Sequence, residues 1–356
     1  MTAQLEIDLA AIVENWRFLA GMNQGETSAV VKADAYGLGA AQVAQVLAAA
    51  GCKTFFTAHL AEAVALRPLL PGARILVLNG LAAHAAADFI AHDIIPVLGS
   101  LAEIAQWRAA AVRLERKLPA FLHVETGLNR LALPAKEFAA LRADQTLLDG
   151  VVIGTVMTHL AVADVPEDER NQRQLQDFLA MAAAFPGAKR SIANSAGMFL
   201  GAAFHQHLTR PGAAVYGLNT STAQGRAMRP VVRLSAPILQ IREIQPGEQV
   251  GYGGTWVAAR PSRIATVGVG YADGLHRALS SRAMACFDDT PVPLVRRVSM
   301  DLATFDVTDV PAQPGDLLGL LGARHGADEL AQEAGTIGYE ILTSLGRRYQ
   351  RRYINA

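Results

Sequence analysis

The 356-residue sequence predicts an α/β protein, with an N-terminal (β/α)8 TIM-like barrel over residues 1–220 and a C-terminal mostly β domain over residues 221–356. Three observations predict it. Up to about residue 217, short β-branched or apolar runs alternate with alanine-rich helical stretches, as parallel strands joined by helices do. The strand candidates number eight, which closes a barrel, and no G-x-G-x-x-G follows the first of them, which argues against an open doubly wound sheet. After about Thr220 the texture changes to β-rich segments separated by turn signals. A chain of this length also exceeds the usual limit of a single core.

Taken in order, the barrel strands are expected near 28–32, 54–57, 74–78, 94–97, 119–124, 151–158, 190–194 and 213–216. Helices such as Ala40 to Ala50 and Asn171 to Phe185 lie between them, and glycines and prolines mark the junctions. The second domain is read from Pro230 to Ile241, Arg263 to Val269 and Val292 to Val298. Gln245-Pro246-Gly247 and Gln313-Pro314-Gly315 carry the residues that turns demand. A final helical stretch, Leu330 to Arg348, is expected to pack on that domain.

Acidic and basic residues balance at 32 each, so no nucleic-acid footprint is visible. Cys52 and Cys286 lack a C-x-x-C partner and match no zinc spacing, which fits a reducing compartment. The start lacks the basic and apolar regions of a secretory signal, and no apolar run reaches membrane-spanning length. A soluble, cytoplasmic protein without membrane contact is expected. His205-x-His207 has no third ligand nearby in sequence, so no metal is expected.

The candidate chemistry sits where a barrel performs it, at the C-terminal ends of strands. Lys32 ends the apolar run Ala29-Val30-Val31, where partial desolvation lowers a lysine's pKa and frees its amine to attack a carbonyl cofactor. The glycines of Tyr36-Gly37-Leu38-Gly39 allow a tight turn against a phosphate, and Tyr36 offers a hydroxyl. That combination suggests pyridoxal 5'-phosphate. A single strand-end lysine commonly just snorkels, so the case depends on its neighbours. His123 and Arg130 flank the fifth strand, His159 follows the sixth, Asn194 and Ser195 follow the seventh, and Arg210 precedes the eighth. Ser195 and the backbone at Gly212-Ala213 are turn positions whose donors suit a phosphate.

The segment Val31-Lys32-Ala33-Asp34-Ala35-Tyr36-Gly37 resembles the pyridoxal phosphate attachment signature of the alanine racemases, which are enzymes of fold type III. Further matches run in order nearly end to end. They are Glu125-Thr126-Gly127-Leu128-Asn129-Arg130-Leu131, Met157-Thr158-His159, Asn194-Ser195, Arg210-Pro211-Gly212, Val250-Gly251-Tyr252-Gly253-Gly254-Thr255-Trp256, Gly270-Tyr271-Ala272-Asp273-Gly274, Val298-Ser299-Met300-Asp301 and Gly338-Tyr339-Glu340.

The resemblance implies a homodimer with shared active sites that interconverts L- and D-alanine, supplying D-alanine for peptidoglycan. It also implies roles. Racemisation needs a base on each face of the cofactor plane. Lys32 would serve one face and the partner subunit's Tyr252 the other. His159 would hydrogen-bond Tyr252, with Arg210 behind it, and their positive field would favour phenolate. Arg210 would also face the cofactor's ring nitrogen, where a group that accepts no proton leaves the nitrogen unprotonated. Arg130 and the Met300 amide would bind the substrate carboxylate. Tyr36, Asn194, Ser195, Gly212, Ala213 and Tyr339 would hold the phosphate side. Tyr271 and Tyr339 would narrow the entrance, with Asp301 behind them.

The sequence departs from the family pattern at three places. His123 stands where a carbamylated lysine often braces the arginine matching Arg130, Glu125 stands for aspartate, and Arg296-Arg297 for Gly-Arg, adding bulk near the interface. Competing readings are a broader racemase that also takes serine, a decarboxylase of the same architecture, against which Arg210 argues, and a non-catalytic cofactor carrier, which would need no second base.

Overall fold

The computed structural model describes residues 2–251 and 256–356. Ten strands come first: β1 (Gln4–Asp8), β2 (Glu26–Thr27), β3 (Ala29–Val30), β4 (Thr54–Thr57), β5 (Arg74–Val77), β6 (Ile95–Leu98), β7 (Leu118–His123), β8 (Val151–Met157), β9 (Lys189–Ser191) and β10 (Leu208–Thr209). From β3 to β9 each strand pairs parallel with the next. The sheet closes on itself. His207 N donates to Arg190 O at 3.1 Å and Arg210 N to Ala193 O at 2.9 Å, beside β9. On its other side β10 pairs parallel with β2, and Ser28 N donates to Thr209 O at 3.0 Å and Val30 N to Pro211 O at 2.9 Å. With β2 and β3 counted as one stave interrupted at Ser28, the staves number eight.

The strands read as near-continuous apolar runs because parallel staves are covered on both faces. All four residues of β4 are buried, and Phe56 meets Phe121 edge-on at 6.0 Å across the interior. Side chains cap the helices between them. Ser100 accepts from Glu103 N to open Leu101–Arg113, and Asp168 accepts from Arg170 N to open Glu169–Ala182.

The eighth stave departs from expectation. Residues 213–216 form a 3-10 turn (Ala213–Tyr216), and the strand is Leu208–Thr209. Two residues are too short for periodicity to register, whereas Ala213 to Tyr216 are all buried and imitate a strand. Arg210 therefore follows the last stave, which puts it at the same end of the barrel as the other candidates.

The remaining strands are β11 (Val232–Ile244), β12 (Gln249–Val250), β13 (Trp256–Val257), β14 (Ser262–Val267), β15 (Met284–Phe287), β16 (Thr290–Pro293), β17 (Ala303–Asp306), β18 (Leu317–Leu321) and β19 (Gln350–Ile354). The main sheet runs β16-β15-β18-β11-β1-β19, with β14 on the far half of β11 and β17 beyond it. Both expected turns form. Glu248 N donates to Gln245 O and Asp316 N to Gln313 O, each at 3.1 Å, with Gly247 and Gly315 at φ of +92° and +98°.

Two expected elements are shorter. The segment Val292 to Val298 is extended only to Pro293. The final helical stretch divides into Ala327–Ala334 and Gly338–Thr343, because Gly335 takes φ +72° between them. Arg348 lies outside any helix. The chain also divides differently from a cut at residue 220. Contacts group Ile12–Met228 as one compact unit and Met1–Ala11 with Arg229–Ala356 as the other. The N-terminal strand β1 pairs antiparallel with β11 and parallel with β19, so it is a central strand of the β unit.

Candidate active site

Lys32 follows β3 directly, held by Val31 N donating to Phe56 O at 2.8 Å. The next four residues, Ala33, Asp34, Ala35 and Tyr36, all take left-handed conformations with φ between 53° and 57°. Each costs an L-residue roughly 1–2 kcal/mol, so the turn needs outside support. Glu62 supplies part of it, accepting from Ala33 N at 2.6 Å through one oxygen and from Ala58 N and His59 N through the other. Asp34 supplies more by accepting from Ala40 N at 2.7 Å. The expectation that glycines make the tight turn is thus only half met, since most of it is built from residues before Gly37.

Burial lowers the pKa of Lys32, and the nearby charge of Arg130 lowers it further, against an opposing pull from Glu62. This is the direction a nucleophilic amine needs. Arg130 lies on a loop shaped by Glu125, whose carboxylate accepts from Gly127 N and from Asn129 N. Burial works against that carboxylate, but the amides of Asn129, Gly127 and Leu128 hold its pKa below the usual range.

Arg210 is 3% exposed. Its guanidinium donates to Ser191 Oγ, to Thr158 O at 2.6 Å and to Ile192 O at 3.4 Å. All three acceptors are neutral, and among the described residues no carboxylate pairs with it. Burial brings its pKa down to about 9, which leaves it cationic at neutral pH. That charge adds to the effect of burial on its neighbours. His123 is brought down to about 4 by burial, then by Arg210, against Glu125 and with help from Arg130. His159 is held well below its ordinary value by burial, Arg210, Arg130, His123 and Lys32. Both imidazoles are therefore neutral near pH 7, and the fixed positive charge beside them is that of Arg210 and Arg130 rather than of His159 itself.

The residues expected on the phosphate side converge on Ser195. Its Oγ accepts from Gly212 N at 2.9 Å and Ala214 N at 3.2 Å, which leaves its own proton for an incoming acceptor. Gly212 faces the Tyr36 hydroxyl so closely that any side chain there would strike it. Tyr36 in turn stacks on Tyr216 with centroids 4.6 Å apart, and Tyr216 donates to Val30 O at 2.8 Å. A hydroxyl pair, small residues and a helical turn at Ala213 form a cradle that suits an oxyanion. Asn194 is a neighbour with another task, for its Oδ1 accepts from Gly197 N and closes the turn that follows.

Beside Arg130 the rim holds a cavity of about 260 Å3, lined in part by Ser100, Glu103, His123 and Glu137. Burial raises the pKa of Glu103 against the amides of Gly99 and Leu81. Sequence reasoning missed Gln174. It is 3% exposed, donates to Thr126 Oγ1 and His159 O at 3.1 Å, and accepts from Ala161 N at 2.8 Å. A signal existed, since Gln174 occupies the same helix face as Leu175, Phe178 and Ala182, where an apolar residue is expected. Glu62 was also missed, although His59 and Glu62 make a capping box at the start of Leu60–Leu66.

In the β unit, Tyr252 lies outside the described residues. The chain leading to it is fixed at Val250, which clusters with Ile264 and Val295 against Ile244 and Trp256. Arg296, expected to add bulk near an interface, is 2% exposed and donates to Val250 O at 3.1 Å, with φ +73°. Tyr271, Met300 and Tyr339 are 42%, 54% and 38% exposed. Met300 O accepts from Ala272 N at 3.0 Å, while the Met300 amide meets no acceptor among the described residues. Among the described residues no group of three His, Cys, Asp or Glu side chains is placed to hold a metal, and no helix is long and apolar enough to cross a membrane.

Comparison with known proteins agrees with this geometry. The family profile "Alanine racemase, N-terminal domain" matches residues 7–220 and "Alanine racemase, C-terminal domain" matches residues 231–353. The chain is 55% identical to an alanine racemase of Acidiphilium cryptum, covering 98% of this chain and 97% of that one. It is 48% identical to one from Methylobacterium sp. (strain 4-46), covering 99% and 98%. The crystal structure of alanine racemase from Bartonella henselae with covalently bound pyridoxal phosphate superposes with a TM-score of 0.96 at 39% identity, covering 99% of this chain and 100% of that one. Both domains and nearly the full length being matched, the chain belongs to the alanine racemase family.

Proposed function

We propose that this protein interconverts L- and D-alanine with pyridoxal 5'-phosphate, using Lys32 and Tyr252 as opposed bases in a homodimer. The observation that carries the reading is Lys32, a lysine of lowered pKa at a stave end, close enough to feel the charge of Arg130 and sharing its rim with Arg210, His159 and the Ser195–Gly212–Tyr36 cradle. When bound, the cofactor supplies a carbonyl carbon for attachment to Lys32 and a ring that stabilises the charge left on an amino acid's Cα.

The chain's own residues do the rest. Lys32 Nζ, neutral in part because of burial and the neighbouring cation, takes or returns the α-proton on one face. Tyr252 Oη does the same on the other face. His159, neutral in these surroundings, serves Tyr252 as a hydrogen-bond partner, and Arg210 supplies the fixed positive charge that favours phenolate. Arg210 has no acceptor to offer, so a ring nitrogen facing it would stay unprotonated. Arg130 and the Met300 amide, which meets no acceptor among the described residues, grip the substrate carboxylate. Tyr36, Ser195, Gly212, Ala213 and Tyr339 hold the phosphate, with Asn194 shaping the turn beside Ser195. Exposed Tyr271 and Tyr339 narrow the entrance, on a surface that a second copy covers. The product would feed peptidoglycan synthesis in the cytoplasm.

The test is chiral chromatography of L-alanine incubated with cofactor-loaded protein in deuterated water. Deuterated D-alanine is expected. Lys32→Ala should lose borohydride-trappable cofactor, while Tyr252→Phe keeps it but slows reaction from L-alanine at least about 100-fold, as removal of a general base does. Undiminished turnover of the Phe variant from both enantiomers would sink the two-base assignment.

A further inference from the structure

Arg348 joins the loops of the β unit that carry Tyr271 and Met300. Its Nε and Nη2 donate to Asp273 Oδ1 and Oδ2 at 2.6 and 2.7 Å, and its Nη1 donates to Asp301 Oδ1 at 2.8 Å. Asp273 is 3% exposed and also accepts from Gly270 N at 2.9 Å. The backbones around this knot dock closely. Tyr271 N donates to Ser299 O, Ala272 N to Met300 O and Gly346 N to Asp273 O, at 3.0, 3.0 and 2.9 Å. Gly270 has no room for a side chain against the Ser299 and Met300 carbonyls, nor Gly274 against that of Ser344.

The two arms of Arg348 differ in kind. A buried carboxylate held by a two-pronged guanidinium is a strong, directional contact, and removing Arg348 would strand the charge of Asp273. The Asp301 arm is different, because both side chains are more than half exposed. Exposed pairs add little stability, so the second arm matters for where it holds Asp301, the residue after Met300.

We propose that Arg348 is a positioning residue that fixes Tyr271 relative to the Met300 amide, and so sets both the grip on the substrate carboxylate and the selection for a small side chain. This rests on the reading above that Tyr271 and Met300 face the substrate. A lysine cannot replace Arg348, since one ammonium cannot span Asp273 in fork geometry and still reach Asp301.

The experiment compares cofactor-loaded parent, Arg348→Lys, Asp301→Asn and Tyr271→Ala. Asp301→Asn leaves the Asp273 pair intact and is expected to fold normally. KM for both alanine enantiomers should rise about 3- to 10-fold in Asp301→Asn and more in Arg348→Lys, with kcat within about twofold and the cofactor's visible spectrum unchanged. The preference for alanine over serine and 2-aminobutyrate, as a ratio of kcat/KM, should fall about tenfold. Unchanged KM and preference in folded Asp301→Asn overturn the proposal, as does a loss confined to kcat. Tyr271→Ala separates the two levels. If it relaxes the preference while the other variants do not, the substrate-site reading stands and the role of Arg348 falls. If it leaves the preference unchanged, that reading fails and takes this one with it.

Discussion

His123 is a base kept from protonating. Its ordinary pKa of 6.5 falls to about 4 in the fold, through burial first and the Arg210 charge next. Between those values the unfolded chain binds the proton and the folded chain does not, so stability rises with pH across that window. Above pH 6.5 nothing is lost; as pH falls toward 4 the fold is penalised, by about 2 kcal/mol at pH 5 for this residue alone. His123→Gln keeps a polar side chain but cannot titrate. Urea unfolding at pH 7 and pH 5 should show the variant losing about 2 kcal/mol less than the parent on acidification. Equal losses would mean that His123 is protonated as easily in the fold as out of it. The same logic explains why a histidine fits near Arg130, for a neutral imidazole is easier to bury than a further cation among Lys32, Arg130 and Arg210.

At the scale of elements, helix Glu169–Ala182 braces two site loops through Gln174. Gln174→Leu fits the apolar face, so the helix should form, but Ala161 N loses its acceptor and His159 O a donor. A lost hydrogen bond of this kind costs about 0.5–1.5 kcal/mol. The expected result is unchanged far-ultraviolet circular dichroism, retained cofactor and a fall of about tenfold in kcat/KM; a variant with parental kinetics would reduce Gln174 to a packing residue. What the sequence made legible at this scale follows from chain chemistry. The long staves and the proline-glycine turns declare themselves through local pattern, and Lys32, Arg130 and Ser195 fall after staves whose ends are readable, whereas Arg210 reaches the rim through a stave that the pattern misplaced. The left-handed turn from Ala33 to Tyr36 does not declare itself, because only Asp34 of its four residues has any preference for that region. Its support comes from Glu62, a contact 29 residues away. The two-residue stave Leu208–Thr209 was hidden for the related reason that closure is a long-range event.

At the scale of the whole chain, β1 has a consequence that its position in the sequence conceals. Gln4, Glu6 and Asp8 alternate with Leu5 and Ile7, a half-buried strand by pattern, and Leu5 and Ile7 are fully buried in the sheet between β11 and β19. This strand thus completes a sheet whose other strands come after the entire barrel, so the β unit cannot finish folding from residues 229–356 alone. Such non-local pairing is paid for in loop closure before any contact rewards it. Ile7→Ala removes buried volume from that centre and should destabilise by about 2–5 kcal/mol. The loss should be local. Amide exchange would accelerate in β11 and β19, the direct partners of β1, while β4, β5 and β7 of the barrel keep their protection. Faster exchange throughout the barrel staves as well would show instead that the two units unfold as one, and that β1 stabilises the barrel as much as the sheet it belongs to.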